Sequence, residues 1–489
     1  MSEPIHPALQ ESMLVAAQKS RDFYLAQETP GNASRQDIYV YEENEAGWPA
    51  AVHSDKAPAG AEAPLNWKHI VGREKGLFCK VDVKDVPELQ SLIDLVHDDP
   101  ALGLVLNGLA SKTDDEGLRR DLVTVDTLNK VGALLNRAAA LGDMGDANLE
   151  RIYEELEPGF LAKELRGDLL FPIALHRVDT DDVVEIAPRV TIEPLSTQTQ
   201  IARAVSHGAD VNAYLVAAAT HAIVLHDQSF DNSEGALVRQ IRMHYAPPGL
   251  DQADLVFEAI SIASGFDVGY SQVCIRPDGW ADDDWVMDLP PISRAATVER
   301  YPVRLNDRGW LKDQKMIDGR SLALLPGIFA ALTTTDRRAQ LASRRLAQTS
   351  RRANSDDILI DACIGIEALL GEQHSELMHR MGIRAATALS GQGWDPSRAY
   401  GVLTAVYGQR SKIVHGTVPK KSTISIAGKE IRASHAAVYL LRELLRAHLS
   451  STPPWTPKSL DAELFETLRN RGPGSPPEAE KARGTVSDG

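Results

Sequence analysis

The chain has 489 residues, 43% of them apolar and 25% charged, with a formal net charge of −16. That length predicts roughly two to four domains of ordinary size. The composition is that of a folded globular protein, and the acidic balance excludes a general electrostatic affinity for nucleic acid. Cys79, Cys274 and Cys363 lie far apart and form no metal-ligand spacing, which suits a reducing compartment. The opening MSEPIHPALQES has neither the basic start nor the apolar core of a signal peptide. The longest apolar run, YLVAAATHAIVL at 214–225, is too short to span a bilayer and contains His221. A cytoplasmic protein without a membrane segment is the expectation.

In chain order, residues 1–65 read as an N-terminal segment that is loop-like from 28 onward, with DIYVYEE its one strand-like run. Residues 66–320 read as a mixed α/β region. GLFCKVDV (76–83) has the alternation of a strand, and DVPELQSLIDLVHDD (85–99) the period of a helix. Further helical patterns cover 120–141 and 147–165. LLFPIALH and DVVEIAPRVTIEPL are β-like, the second breaking at Pro188. From about 210 to 305, apolar runs such as LVFEAISIAS, YSQVCIRP and TVERYPVRL alternate with turns. The pattern does not specify a topology there.

From about 320 the pattern becomes helical throughout. GRSLALLPGIFAAL leads into a pair of long helices, the first with arginine doublets at 337/338, 344/345 and 351/352. Asn354 and Ser355 offer caps for the second, whose apolar stripe is Ile358, Leu359, Ala362, Cys363, Ile366, Leu369 and Leu370, ended by Gly371. Helices at 375–391, 397–416 and 433–449 follow. Together they predict an all-α bundle over 325–455, so the fold class is α+β. The tail at 470–489 has the composition of a disordered end. Charge divides along the same line. Arg337 to Arg446 holds 17 Lys and Arg against 9 Asp and Glu, a net of +8, which leaves −24 for the remainder. An acidic part that senses or restrains and a basic part that acts is the expectation.

The stretch YGQRSKIVHGT (407–417) carries the chemistry. Leu403, Val406 and Ile413 lie on one helical face, and Arg410 fills the vacant position in that stripe, where a guanidinium needs a fixed partner. Arg410 and His415 form an R-x4-H pair, about 140° and 7.5 Å apart on a helix. A second copy of the helix, from another protomer, would complete a site from two such pairs. Gly416 and Pro419 mark a helix stop at His415. Arg410 suits the oxygens of a phosphodiester and His415 the movement of a proton. The structural alternatives are a bridge from Arg410 to Glu367 and a helix-capping role for His415. His221, His226 and Asp227 suggest a metal site, but their spacing is poor for ligation from one helix. There is no phosphate-binding loop, dinucleotide fingerprint or zinc spacing.

ILIDACIGIEALLGE (358–372), MHRMGIRAATALSG (378–391) and VYGQRSKIVHG (406–416) together resemble HEPN-domain proteins of the Apea-like group, in their order, spacing and wording. Ser411 stands where many HEPN ribonucleases carry Asn, Asp or His. The resemblance implies a metal-independent, cofactor-free endoribonuclease working as a homodimer through the bundle. The RNA 2′-hydroxyl attacks the adjacent phosphate and leaves a 2′,3′-cyclic phosphate and a 5′-hydroxyl. His415 is then the general acid or base, and Arg410 stabilises the phosphorane. Ser411 and Glu367 support them, and Lys412, Arg380 and Arg384 contact RNA, with Lys420 and Lys421 nearby. Such proteins are often antiviral or stress effectors, or toxins, that cut tRNA or other RNA upon a trigger, here unknown. The competing expectation is a catalytically silent HEPN-fold module that binds a protein or nucleotide.

Overall fold

The structure is a computed structural model. It describes residues 3–27, 33–54, 62–76, 79–99, 102, 113–205, 213–233, 249–283, 285, 287–302, 304–305, 315–372, 377–416, 423–426 and 428–470. The chain divides into two units, Met1–Phe257 with Val268–Ala323, and Glu258–Asp267 with Leu324–Gly489.

The first unit opens with a helix, α1 (Pro7–Leu25), that begins on Pro7, with the His6 imidazole accepting the Leu9 N–H. Proline is at home in that first position because its missing N–H would be unsatisfied anyway. A hairpin of β1 (Ile38–Glu43) and β2 (Pro49–Ser54) follows, paired Ile38 to Ser54 through Glu43 to Pro49. The loop expected over 28–65 therefore contains a second strand. Its PAAVHS run is short and half-exposed, so its hydrophobic signal is weak. Next come α2 (Trp67–Ile70), α3 (Pro87–Asp98), α4 (Glu116–Ala140) and α5 (Asp146–Leu161). Leu89, Leu92, Ile93 and Val96 give α3 a buried face in helical steps. They join Leu9 and Met13 of α1, Trp67, Leu134 and Tyr153 in one apolar core.

Over its described residues GLFCKVDV forms no strand. Residues 77 and 78 lie outside the described residues, and Val81 makes only an isolated bridge to Val71. Asp82 explains the departure. Its carboxylate accepts the N–H groups of Lys75, Lys84 and Asp85, and such local bonds compete with a ladder.

β3 (Glu164–Pro172), β4 (His176–Val178), β5 (Val184–Ala187) and β6 (Val190–Pro194) come next. After them are α6 (Thr197–Val205), α7 (Ala213–Ala217), β7 (His221–Asp231), α8 (Leu250–Ser264), β8 (Tyr270–Pro277), β9 (Ser293–Arg300) and β10 (Lys315–Ile317). Six of the strands form an antiparallel sheet in the order β5-β6-β7-β3-β8-β9, and β10 pairs with β4 in parallel. β8 is buried along Tyr270–Ile275 without alternation, so both of its faces are covered. Arg203 of α6 is fully buried and donates to the carbonyls of Val216, Ala217 and Ala219, which holds the α7–β7 corner.

The second unit takes in the end of α8 and most of α9 (Gly319–Thr334). It continues through α10 (Arg337–Ser350), α11 (Ser355–Leu370), α12 (Leu377–Ser390) and α13 (Pro396–Val414). A hairpin of β11 (Thr423–Ile426) and β12 (Lys429–Arg432) precedes α14 (Ala433–Ser450) and α15 (Pro457–Asn470). Asp336, Asn354 and Asp395 cap three of these helices through their side chains. The all-α expectation is corrected by the hairpin. Ile424 and Ile426 point inward while Thr423 and Ser425 lie on the opposite face, and Gly428 has φ +80, a turn conformation natural to glycine. The tail at 471–489 is outside the described residues.

The arginine doublets divide their work. Arg338 donates to the carbonyls of Ala368 and Gly371 at the C-terminal end of α11. Arg345 and Arg352 both reach Asp361, which is 4% exposed, with bonds of 2.8 Å each. Asp361 is thus the shared anchor between α10 and α11. Asp361→Ala is expected to lower stability by about 2 kcal/mol, the scale of charge-assisted bonds removed from a buried acceptor. Asp361→Asn should cost less because it keeps one acceptor. Urea unfolding checks this, and midpoints equal to wild type would refute it.

Candidate functional site

α13 starts on Pro396 under the Asp395 cap and buries Ala399, Val402, Leu403, Val406 and Tyr407. Beyond Tyr407 it leaves the core. The Arg410 side chain is 32% exposed, Ser411 and Lys412 are exposed, and Val414 is 52% exposed. The stripe through Leu403, Val406 and Ile413 therefore surfaces at Arg410, with Ile413 only half-buried. A guanidinium is tolerated there because the position lies on the rim of the core.

Its partner is Glu367 of α11, with Arg410 Nη2 and Glu367 Oε1 at 3.5 Å. Tyr407 stands one turn before Arg410 on the same face, and Cys363 one turn before Glu367. The Tyr407 hydroxyl is buried beside the Glu367 carboxylate without a well-formed hydrogen bond, and Gln409 Oε1 and Arg410 Nε are likewise buried and unbonded. Burial pushes the Tyr407 phenol up, and the Glu367 charge adds to it. Burial also pushes the Cys363 thiol up to about 12, with Glu367 adding and Arg410 opposing. Two potential acids thus remain neutral beside one carboxylate, and Arg410 supplies the countercharge.

Cys274 is also raised to about 12, by burial. Because the thiolate is the nucleophile, iodoacetamide at pH 8.5 should leave Cys274 and Cys363 unlabelled in the native protein. All three cysteines should react after denaturation. Mass spectrometry reads the outcome, and rapid native labelling of Cys363 would contradict the closed packing around it.

His415 follows the last residue of α13. Its backbone N–H bonds to the carbonyls of Ser411 and Ile413, and Gly416 turns the chain at φ +72. Its ring is exposed and makes no hydrogen bond or ion pair among the described residues. The structure thus brings Glu367 to Arg410, while His415 stands at the helix end without a link to either.

The remaining expected site residues separate. Arg384 is corrected from an RNA contact to a core residue. Its side chain is 1% exposed and is consumed by Asp461, Glu372 and the Leu370 carbonyl, all at 2.7–2.8 Å. A phosphate cannot reach it. Arg380 lies 3.5 Å from the same Asp461 but is 42% exposed. Lys420 and Lys421 are outside the described residues. The sequence pattern marks Cys363 only as part of an apolar stripe and gives no signal for Tyr407 or Asp461, since each shows its role only when two helices pack.

His221 and His226 lie on β7, not on a helix. His221 bonds through Nε2 to the Thr180 carbonyl at 2.8 Å. His226 sits between Asp168 and Glu193 at 3.3 and 3.2 Å, with Arg276 bridging both carboxylates. Its two nitrogens face opposite anions, a charge network and not a ligand set. Among the described residues no group of His, Cys, Asp and Glu is arranged to hold a metal ion. Nor is any described helix long and apolar enough to cross a membrane.

No family model, curated protein or solved structure matches this chain.

Proposed function

We propose that the second unit is a HEPN-type, metal-independent endoribonuclease that cleaves RNA as a homodimer. The observation that carries this reading is the emergence of α13 from the core with Arg410 and His415 at its accessible end. In this proposal a phosphodiester oxygen replaces Glu367 as the partner of Arg410. The 2′-oxygen bonds to phosphorus while the bond to the 5′-oxygen breaks. A base takes the 2′ proton and an acid protonates the leaving oxygen; His415 serves one role and the second protomer's His415 the other. Dimerisation brings the two pairs to one cleft, as an isologous interface does for any self-paired surface. Glu367 and Ser411 support the pair, and Lys412 and Arg380 offer phosphate contacts. An antiviral or stress effector acting on tRNA or other RNA is the setting this chemistry suits.

The test is incubation of the purified chain with total RNA. Cleavage should persist in EDTA and leave 5′-hydroxyl ends. Loss of cleavage in EDTA, or 5′-phosphate ends, would overturn the mechanism.

The Arg410–Glu367 pair also favours a second reading, in which Arg410 is a structural bridge and the unit a silent module that binds a protein or nucleotide. The two readings part on one measurement. A wild-type chain that leaves RNA intact as an established dimer supports the silent module.

A further inference from the structure

α10 contains four arginines and no acidic residue. Arg338 and Arg345 turn to α11, where the carbonyls of Ala368 and Gly371 and the Asp361 carboxylate hold them. The first members of these two doublets are left outside. Arg337 and Arg344 are exposed, and neither makes a side-chain hydrogen bond or ion pair among the described residues. Seven residues of α-helix turn back to within about 20° of the start and rise about 10.5 Å. The two guanidinium groups therefore stand in a row on one face. The helix beneath them is held by Arg338 and Arg345, so the backbone positions from which they extend are set before anything binds.

The row also has a direction. Arg338 ends on the carbonyl of Ala368, the residue after Glu367, so Arg337 stands level with the end of α11 where Glu367 meets Arg410. Arg344 lies two turns further along, toward Asp361.

We propose that Arg337 and Arg344 form a phosphate track for single-stranded RNA, holding the chain on one side of the phosphate bound at Arg410. This rests on the nuclease reading of Arg410 and His415. The occupant is argued from charge: the stretch Arg337–Arg446 carries +8 in a chain of net −16, and these two members of it have no acidic partner to neutralise them among the described residues. A single strand fits because its backbone bends to meet cations at fixed spacing and needs no groove.

The experiment uses full-length His415→Ala, which separates binding from cleavage, and a fluorescein-labelled single-stranded RNA read by anisotropy over a series of salt concentrations. Adding Arg337→Gln and Arg344→Gln should weaken binding by about tenfold and lower the slope of log affinity against log salt by about 1.4, or roughly 0.7 for each phosphate no longer neutralised. Lys429→Gln with Lys458→Gln removes the same charge from exposed positions elsewhere in the unit and should leave both quantities close to the parent. The proposal falls if the parent does not bind RNA, if the arginine variant binds like the parent, or if the lysine control loses as much. Wild-type cleavage is scored separately. Cleaving wild type with unchanged binding by the arginine variant removes the track alone. An inert wild type whose track variant still loses binding removes the nuclease reading and keeps the track.

Discussion

His415→Ala, which in a homodimer removes the general acid and the general base together, is expected to reduce RNA cleavage at least a thousandfold, about 4 kcal/mol of transition-state stabilisation. The melting temperature should stay at its wild-type value. The reason lies in the surroundings of the ring: it is exposed, bonds to no described residue, and follows the helix it would otherwise stabilise. Nothing in the fold depends on it, so any functional loss is chemical. Arg410→Ala should be comparably inactive but not thermally silent. It leaves Glu367, which is 28% exposed, without its cation, a loss of at most about 1 kcal/mol for a pair partly open to water. Arg410→Lys keeps the charge without the two-pronged donor and should recover stability more fully than cleavage. Undiminished cleavage by His415→Ala would sink the nuclease reading. An Arg410→Ala variant that cleaves normally yet melts far below wild type would make that residue a bridge.

The place of Arg410 and His415 at a helix end was legible because Gly416 and Pro419 mark the stop. What surrounds them was not. Arg380 and Arg384 are one turn apart and look equivalent in sequence, yet one is 42% exposed and the other 1%. Both lie near Asp461 of α15, but only Arg384 also bonds to Glu372 and the Leu370 carbonyl; Asp461 is 77 residues away, and local pattern carries no signal for a contact at that range. Elements followed the same logic. YSQVCIRP, one of the apolar runs set between turns, forms β8 over that same stretch. LVFEAISIAS is apolar on every side and lies in α8, where Val256, Ile260 and Ile262 are all buried. Periodicity cannot separate helix from strand in a run buried all round. TISIAGKEIR has the alternation and glycine of a hairpin but is too short to register between two long helices.

The largest stability effect is expected at Arg384. Arg384→Ala should cost about 3–5 kcal/mol, because removing one partner of a buried pair leaves the others with uncompensated desolvation. Here the partners are three: Asp461 on α15, Glu372 just after α11, and the Leu370 carbonyl. One side chain thus ties the end of α11 and the last helix to α12, and among the described side chains of α15 only Pro457 and Leu460 are buried. Arg384→Lys should recover only part of the loss, since an ammonium cannot serve all three acceptors at once. The same cluster sets an acid limit. Arg384 holds the carboxyls of both Asp461 and Glu372 below the usual carboxylate range, chiefly through its hydrogen bonds to them. A depressed folded pKa contributes stability that is present above the unfolded value, about 4, and is lost as pH falls through the lower folded value. Wild type should therefore lose stability as pH falls below about 4 more steeply than Asp461→Asn, which begins lower and has one fewer carboxylate to protonate. Thermal melts of wild type, Arg384→Ala, Arg384→Lys and Asp461→Asn across that range decide the matter. An Arg384→Ala protein that melts with wild type would mean that α15 is held by other contacts and that the buried guanidinium contributes no net stability.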